Sequence, residues 1–200
     1  MNHRLEIGPS VPRRRNRFLY WLGAGILRVA GWRVDVRLPD MPKFIVIAAP
    51  HTSNWDFVFG MAAILLLQVR IDWFGKHSLF EGPLAGMFRA LGGHPVNRSS
   101  AGGVVGQAVT AFREREQLVL ALAPEGTRSR REQWKRGFYH MAHEASVPVA
   151  VAYLDYGRRC VGIGPVFRTT GDWATDMRPV FAFYRGITPR HPDHFAVEDL

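Results

Sequence analysis

The chain has 200 residues, 47% of them hydrophobic, a size that buries one core and rarely splits into two domains. Its 26 Lys and Arg against 17 Asp and Glu leave a net charge of +9, which calls for a partner with negative charge: a phospholipid surface, a phosphorylated substrate, an acidic carrier protein or nucleic acid. The single Cys160 excludes an internal disulfide, argues against a cysteine metal cluster and suits a reducing compartment.

The charge is concentrated at the front, where residues 1–37 carry Arg4, Arg13, Arg14, Arg15, Arg17, Arg28, Arg33 and Arg37 against only Glu6 and Asp35. Residues 1–17, rich in Pro, Gly and Arg, read as a poorly ordered arm. Residues 18–32 read as an amphipathic, membrane-associating helix: Phe18, Leu19, Trp21, Leu22, Ile26 and Leu27 would enter the acyl boundary while arginines reach out to phosphates. The competing reading is a core helix in which Gly23, Ala24 and Gly25 allow close packing. A secretory signal is not expected, because Trp21, Arg28 and Trp32 interrupt the apolar stretch and no small-x-small cleavage site follows. The longest uncharged runs, 18–27 and 57–69, are shorter than the roughly 20 residues that span hydrocarbon, so no transmembrane helix is predicted. The division is a basic arm with an interfacial helix over 1–37 and a folded domain over 38–200.

Beyond the arm, short apolar segments alternate with helical stretches. Strands are predicted at 44–49, 71–75, 94–97, 118–123, 149–154 and 161–166, and helices at 55–69, 83–91, 104–116, 134–145 and 173–184. Pro83 suits a first helical turn, and Ser53 or Asn54 can cap the helix holding Asp56. The alternation predicts a single α/β domain with a mixed, largely parallel central sheet flanked by helices.

Polar clusters follow two of the strands. The run at 44–49 delivers Pro50-His51-Thr52-Ser53-Asn54-Trp55-Asp56, and the run at 118–123 delivers Pro124-Glu125-Gly126-Thr127-Arg128-Ser129. A His held by a carboxylate is a general base: the carboxylate fixes the tautomer while the other ring nitrogen takes a proton. His51 in a loop and Asp56 in the first turn of the following helix can face each other. Gly92-Gly93-His94-Pro95-Val96-Asn97-Arg98 ends a third strand with a guanidinium, a group that binds phosphate oxygens through paired hydrogen bonds. Ligands of open α/β sheets gather at the carboxyl ends of strands, where His51, Arg98 and Arg128 are expected.

Other patterns are weaker. His140-Met141-Ala142-His143-Glu144 lacks the helical metalloprotease spacings, Gly102-Gly103-Val104-Val105-Gly106 lacks dinucleotide-loop spacing, and no Gly-x-Ser-x-Gly occurs. Arg128, Arg130, Arg131, Lys135 and Arg136 form a second basic cluster, a solvated face or a contact for phosphoryl groups, an acidic protein or lipid headgroups. The high charge also admits a non-enzymatic basic module for nucleic acid or anionic membrane.

Over residues 44–154 the chain resembles the glycerophosphate and lysophosphatidate acyltransferase family. His51 to Asp56 is similar to the family's His-x-x-x-x-Asp, Gly93 to Arg98 resembles its second block, Pro124 to Ser129 its third and Val147-Pro148-Val149 its fourth. Gly75-Lys76, with Leu79 and Phe80, is similar to a Lys-containing stretch between the first two. The resemblance implies transfer of a fatty acyl group from acyl-CoA or acyl carrier protein to a lysophospholipid hydroxyl, with no acyl-enzyme. It assigns His51 as base and Asp56 as its orienting carboxylate, and substrate binding to Lys76, Arg98, Glu125, Gly126, Thr127, Arg128 and Pro148. No metal and no cofactor beyond the donor thioester are expected; the basic arm and residues 13–32 point to an anionic membrane rather than nucleic acid as partner, and with the single Cys160 to a peripheral place on the cytoplasmic face. The departures are Pro50 where many members have Asn, Ala123 where Phe is commoner, and a fourth block without its second Pro. A lyso-aminolipid acceptor and an acyl thioesterase are the nearer alternatives.

Overall fold

The structure, a computed structural model, describes residues 3–95 and 103–200. Its strands are β1 (Arg4–Ile7), β2 (Arg33–Leu38), β3 (Lys43–Ala49), β4 (Asp72–Gly75), β5 (Gly93–Pro95), β6 (Leu118–Leu122), β7 (Val149–Asp155) and β8 (Cys160–Phe167). The helices are α1 (Arg17–Ala30), α2 (Asn54–Leu67), α3 (Ala85–Ala90), α4 (Gly103–Glu114), α5 (Gly137–Ala145) and α6 (Trp173–Arg185). One sheet runs in the order β1-β2-β8-β7-β3-β6-β4-β5. Every pairing in it is parallel except β7 with β8. The mixed, largely parallel α/β sheet predicted from the sequence is what forms.

β3 lies between β7 and β6, and its run Phe44-Ile45-Val46-Ile47 is buried on both faces, the mark of a central parallel strand covered by helices on either side. Ile45 and Ile47 join a core with Phe112 of α4, Phe138 of α5 and Met177 and Phe181 of α6. Phe44 and Val46 face the other way, into a core with Leu27 of α1 and Phe59, Ala62 and Leu66 of α2. The two-residue period of the strand thus divides one apolar run between two layers.

The amino-terminal region departs from expectation. The arm predicted to be poorly ordered contains β1, which pairs with β2 from Arg4↔Asp35 to Ile7↔Leu38. β2 itself went unpredicted because Arg33, Asp35 and Arg37 break its apolar content, yet Val34, Val36 and Leu38 alternate with them and are buried. β2 therefore runs through the 37/38 boundary drawn from composition. α1 starts at the Asn16 cap, whose side chain accepts from the Leu19 N–H at 3.0 Å, and stops at Gly31 with φ +73. It packs closely on α2: a Cβ at Gly23 would lie 2.5 Å from the Ala62 carbonyl oxygen, so only glycine admits this approach. Leu27, expected in lipid, is fully buried in the core, whereas Phe18, Trp21, Leu22 and Val29 are exposed.

Smaller differences concern helix starts. Pro83 precedes α3 rather than beginning it, and the helix predicted from 134 starts at Gly137. Residues 96 and 97 of the third predicted strand lie outside the described residues. Because β7, β3, β6, β4 and β5 all point one way, their carboxyl ends gather at one end of the sheet.

Candidate active site

Ser53 caps α2, its hydroxyl accepting from the Trp55 N–H at 3.2 Å, and Asp56 completes a capping box. Asp56 Oδ2 accepts the backbone N–H groups of Thr52 at 2.6 Å and Ser53 at 2.7 Å. The helix amino terminus also favours the negative charge. The same folding device that starts α2 therefore buries a carboxylate, 3% exposed, behind the loop carrying His51. His51 Nδ1 stands 3.8 Å from Asp56 Oδ2, within ion-pair range and longer than a hydrogen bond. The His51 side chain is 25% exposed, so its outer nitrogen can be reached.

β6 is the neighbour of β3, and the turn after it brings Glu125 under the same loop. The His51 N–H donates to Glu125 Oε1 at 2.9 Å. Glu125 Oε2 is buried and has no hydrogen-bond partner among the described residues. Burial pushes the Glu125 carboxyl up to about 7, the His51 N–H pulls it back, and the charge of Asp56 pushes it further up. His51 moves the opposite way. Burial holds it below the usual histidine value, Asp56 opposes that and Arg128 reinforces it, so the imidazole is neutral at pH 7.

Gly126 has φ +68 and donates its N–H to the Ala123 carbonyl at 3.1 Å. That left-handed backbone accounts for glycine at this point of the turn, where the end of the Lys135 side chain lies close by. Thr127 Oγ1 accepts the Ser129 N–H at 3.4 Å, and Arg128 is exposed with its charge reaching His51. Lys76 is exposed just past the end of β4, on the side where the other strand ends gather. Arg98 lies outside the described residues. Pro148 is not brought to the cluster. It is buried at the amino end of β7, its carbonyl accepting from the Ile45 N–H at 2.9 Å, one strand length of about 20 Å from the end that carries His51.

Two residues were not foreseen. Tyr156, just past β7, donates its hydroxyl to Asp56 Oδ1 at 2.6 Å; its place at the carboxyl end of a predicted strand was the available signal. Burial first, then its hydrogen bond to Asp56, hold this phenol far above its ordinary value, so it stays a donor. Arg190, in the segment after α6, places its guanidinium 5.8 Å above the Trp55 ring and 5.7 Å above that of Tyr156. The same segment donates the His191 N–H to Thr52 Oγ1 at 3.3 Å. No spacing in the sequence announced that contact.

Trp55 also borders a groove of about 740 Å³ between α1 and α2, lined by Trp21, Leu22, Ile26, Val29 and Phe59, with Arg190 beside it. Several of these side chains are open to solvent, Val29 at 91% and Trp21 at 66%. Among the described residues no helix is long and apolar enough to cross a membrane.

A neutral imidazole, a buried carboxylate beside it and a carboxyl oxygen without a partner among the described residues, gathered at adjoining strand ends, form a group that can deprotonate a bound hydroxyl. The acyltransferase family model matches residues 35–154. No curated protein matches the chain. The crystal structure of the 1-acyl-sn-glycerophosphate (LPA) acyltransferase, PlsC, from Thermotoga maritima is similar with a TM-score of 0.56 and 19% identity, covering 80% of this chain and 71% of that one. That likeness is one of fold.

Proposed function

Because the chain belongs to the acyltransferase family, matched over residues 35–154, we propose that it moves a fatty acyl group from acyl-CoA or acyl carrier protein to the hydroxyl of a lysophospholipid such as 1-acylglycerol-3-phosphate. The observation that carries this reading is the convergence of His51, Asp56 and Glu125 at adjoining strand ends. The PlsC likeness makes a lysophosphatidate-like acceptor the first to try.

In this reaction the outer nitrogen of His51 takes the acceptor's hydroxyl proton as the oxygen attacks the thioester carbonyl. The tetrahedral intermediate collapses, the new C–O bond replacing the C–S bond, and the departing thiolate recovers the proton from His51. Asp56 holds the imidazole and stabilises its charged form, and no acyl-enzyme forms. Such a base contributes roughly 10² to 10⁴ in rate. Arg128, Lys76 and Arg98 supply positive charge for the acceptor's phosphate. Glu125 Oε2, buried and unpartnered, binds an acceptor hydroxyl, and Gly126 and Thr127 shape the turn around it. Pro148 has no part in this arrangement.

The chain works at a lipid surface. Trp21, Leu22 and Val29 project from α1 beside Trp55, Phe18 is exposed on the same helix, and the arginines of the amino-terminal region meet anionic headgroups, each contributing about 1 kcal/mol near the surface.

The test is mass spectrometry of the products formed from acyl-CoA or acyl carrier protein with a panel of lysolipids, beside His51→Ala. A new ester that vanishes in the variant is the expected result. Free fatty acid alone would replace the reading with a thioesterase, and no turnover with any pairing would sink it.

A further inference from the structure

We propose that Tyr156 is a positioning residue for the proton transfer: its hydroxyl pins the free oxygen of Asp56 and so fixes the carboxylate that His51 faces. The inference rests on His51 acting as the base, but the residue lies outside the 35–154 segment that carries the family match.

The two backbone N–H groups of Thr52 and Ser53 both go to Asp56 Oδ2. A carboxylate held at one oxygen can still pivot about it. The 2.6 Å bond from Tyr156 holds Oδ1 and sets the plane of the group. Because the acceptor is a carboxylate, this bond is charge-assisted and stronger than one between neutral groups. The phenol is itself fixed from three directions. Trp32 meets its ring edge-on, with centroids 4.9 Å apart, Phe59 of α2 lies at 6.3 Å, and the Arg190 guanidinium stands 5.7 Å from its centre. The end of α1, the first turn of α2, the end of β7 and the segment after α6 thus converge on the group behind the base.

The phenol does more than orient. By donating to Asp56 it takes up part of the carboxylate's charge, which tempers the pull of Asp56 on the imidazolium. The other charged or titratable groups around His51 are Glu125 and Arg128 from the turn after β6, Tyr184 of α6 beside Glu125, and Arg190 and His191 from the segment after α6. None of them donates a hydrogen bond to Asp56 Oδ1 among the described residues.

Tyr156→Phe in the full chain keeps the ring and removes only the hydroxyl. The expected result is a fall in kcat of about tenfold, the scale of one hydrogen bond to a charged group, with KM for donor and acceptor unchanged. The acidic limb of the kcat profile should move to higher pH. In a histidine NMR titration without substrates, the His51 resonance should titrate at higher pH than in the unmodified chain. Replacing Tyr156 by a fluorinated tyrosine, a stronger donor of nearly the same shape, should move that titration the other way; it also serves if the Phe variant does not fold. A His51 titration that does not move in either variant overturns the proposal, as does a loss of thermal stability with an unchanged pH profile. Since the titration needs no turnover, it decides the role of Tyr156 even if no acyl transfer is found.

Discussion

The backbone N–H of His51 donates to Glu125 Oε1 at 2.9 Å, joining the ends of β3 and β6 across 74 positions of sequence. In the proposed reaction the acid that offers its second oxygen to substrate is therefore also the strut under the loop that carries the base. This double duty places a carboxyl where water cannot reach it, and the fold bears the cost.

The folded chain holds the Glu125 proton up to about pH 7, whereas an unfolded chain releases it near 4.5. Folding takes up a proton in this window, so the fold is unburdened below pH 4.5 and loses stability as pH rises through 7, by roughly 3 kcal/mol at the upper end. Glu125→Gln keeps an oxygen for the His51 N–H and removes the titration. Its melting temperature relative to the unmodified chain should climb between pH 5 and 8. A difference that stays flat with pH would show that Glu125 is not a buried acid.

Asp56→Asn tests the base from its other side. With the carboxylate gone, burial and Arg128 are left acting on His51, and both lower its pKa. The acidic limb of the rate profile should shift to lower pH while kcat falls by roughly 10² or more. The capping box is also weakened, so the melting temperature should drop by the equivalent of about 1 kcal/mol. A rate profile that keeps its midpoint would separate Asp56 from His51.

Arg128 is exposed, and the hold on an acceptor phosphate proposed for it is accordingly electrostatic and salt-sensitive. Arg128→Ala should raise KM for a phosphate-bearing acceptor by roughly tenfold or more, leave KM for the thioester donor alone, and move the His51 limb upward, since Arg128 now depresses it. Equal losses with phosphorylated and neutral acceptors would remove Arg128 from the phosphate site.

For the lipid surface, point substitutions are cleaner than truncation, because removing the amino-terminal region also deletes β1 and the buried Leu27 and Trp32. Trp21→Ser with Val29→Ser alters two exposed side chains and no core contact. Sedimentation with anionic vesicles should fall by about tenfold or more, while turnover of short-chain soluble substrates holds. Undiminished sedimentation would move the membrane contact away from α1.

The sequence made the centre of this fold readable because β3 and its loop obey rules that act over a few residues: an unbroken apolar run, then Ser53 and Asp56 at capping-box spacing. It concealed β2, where charges on the solvent side diluted a two-residue alternation, and β1, whose pairing depends on β2. Within the site, His51, Asp56 and Glu125 were legible as strand-end residues. Pro148 lies apart from these three because linear motif order does not say which end of a strand a motif occupies; it precedes β7, whereas Tyr156 follows it. Arg190 escaped because its partner Trp55 is distant in sequence and joined to it only by tertiary packing.

The reversal between β7 and β8 has a bearing on how the chain is made. β2 finds its hydrogen-bonded neighbour in β8, through Arg33↔Cys160 and Asp35↔Gly162, and β1 is attached only through β2. During synthesis β3, β6 and β7 can assemble as they emerge, but β2 gains its hydrogen-bonded neighbour on that side only once β8 has left the ribosome. Until then the backbone edge of β2 that β8 covers stays open, so β8 is the strand through which β1 and β2 join the rest of the sheet.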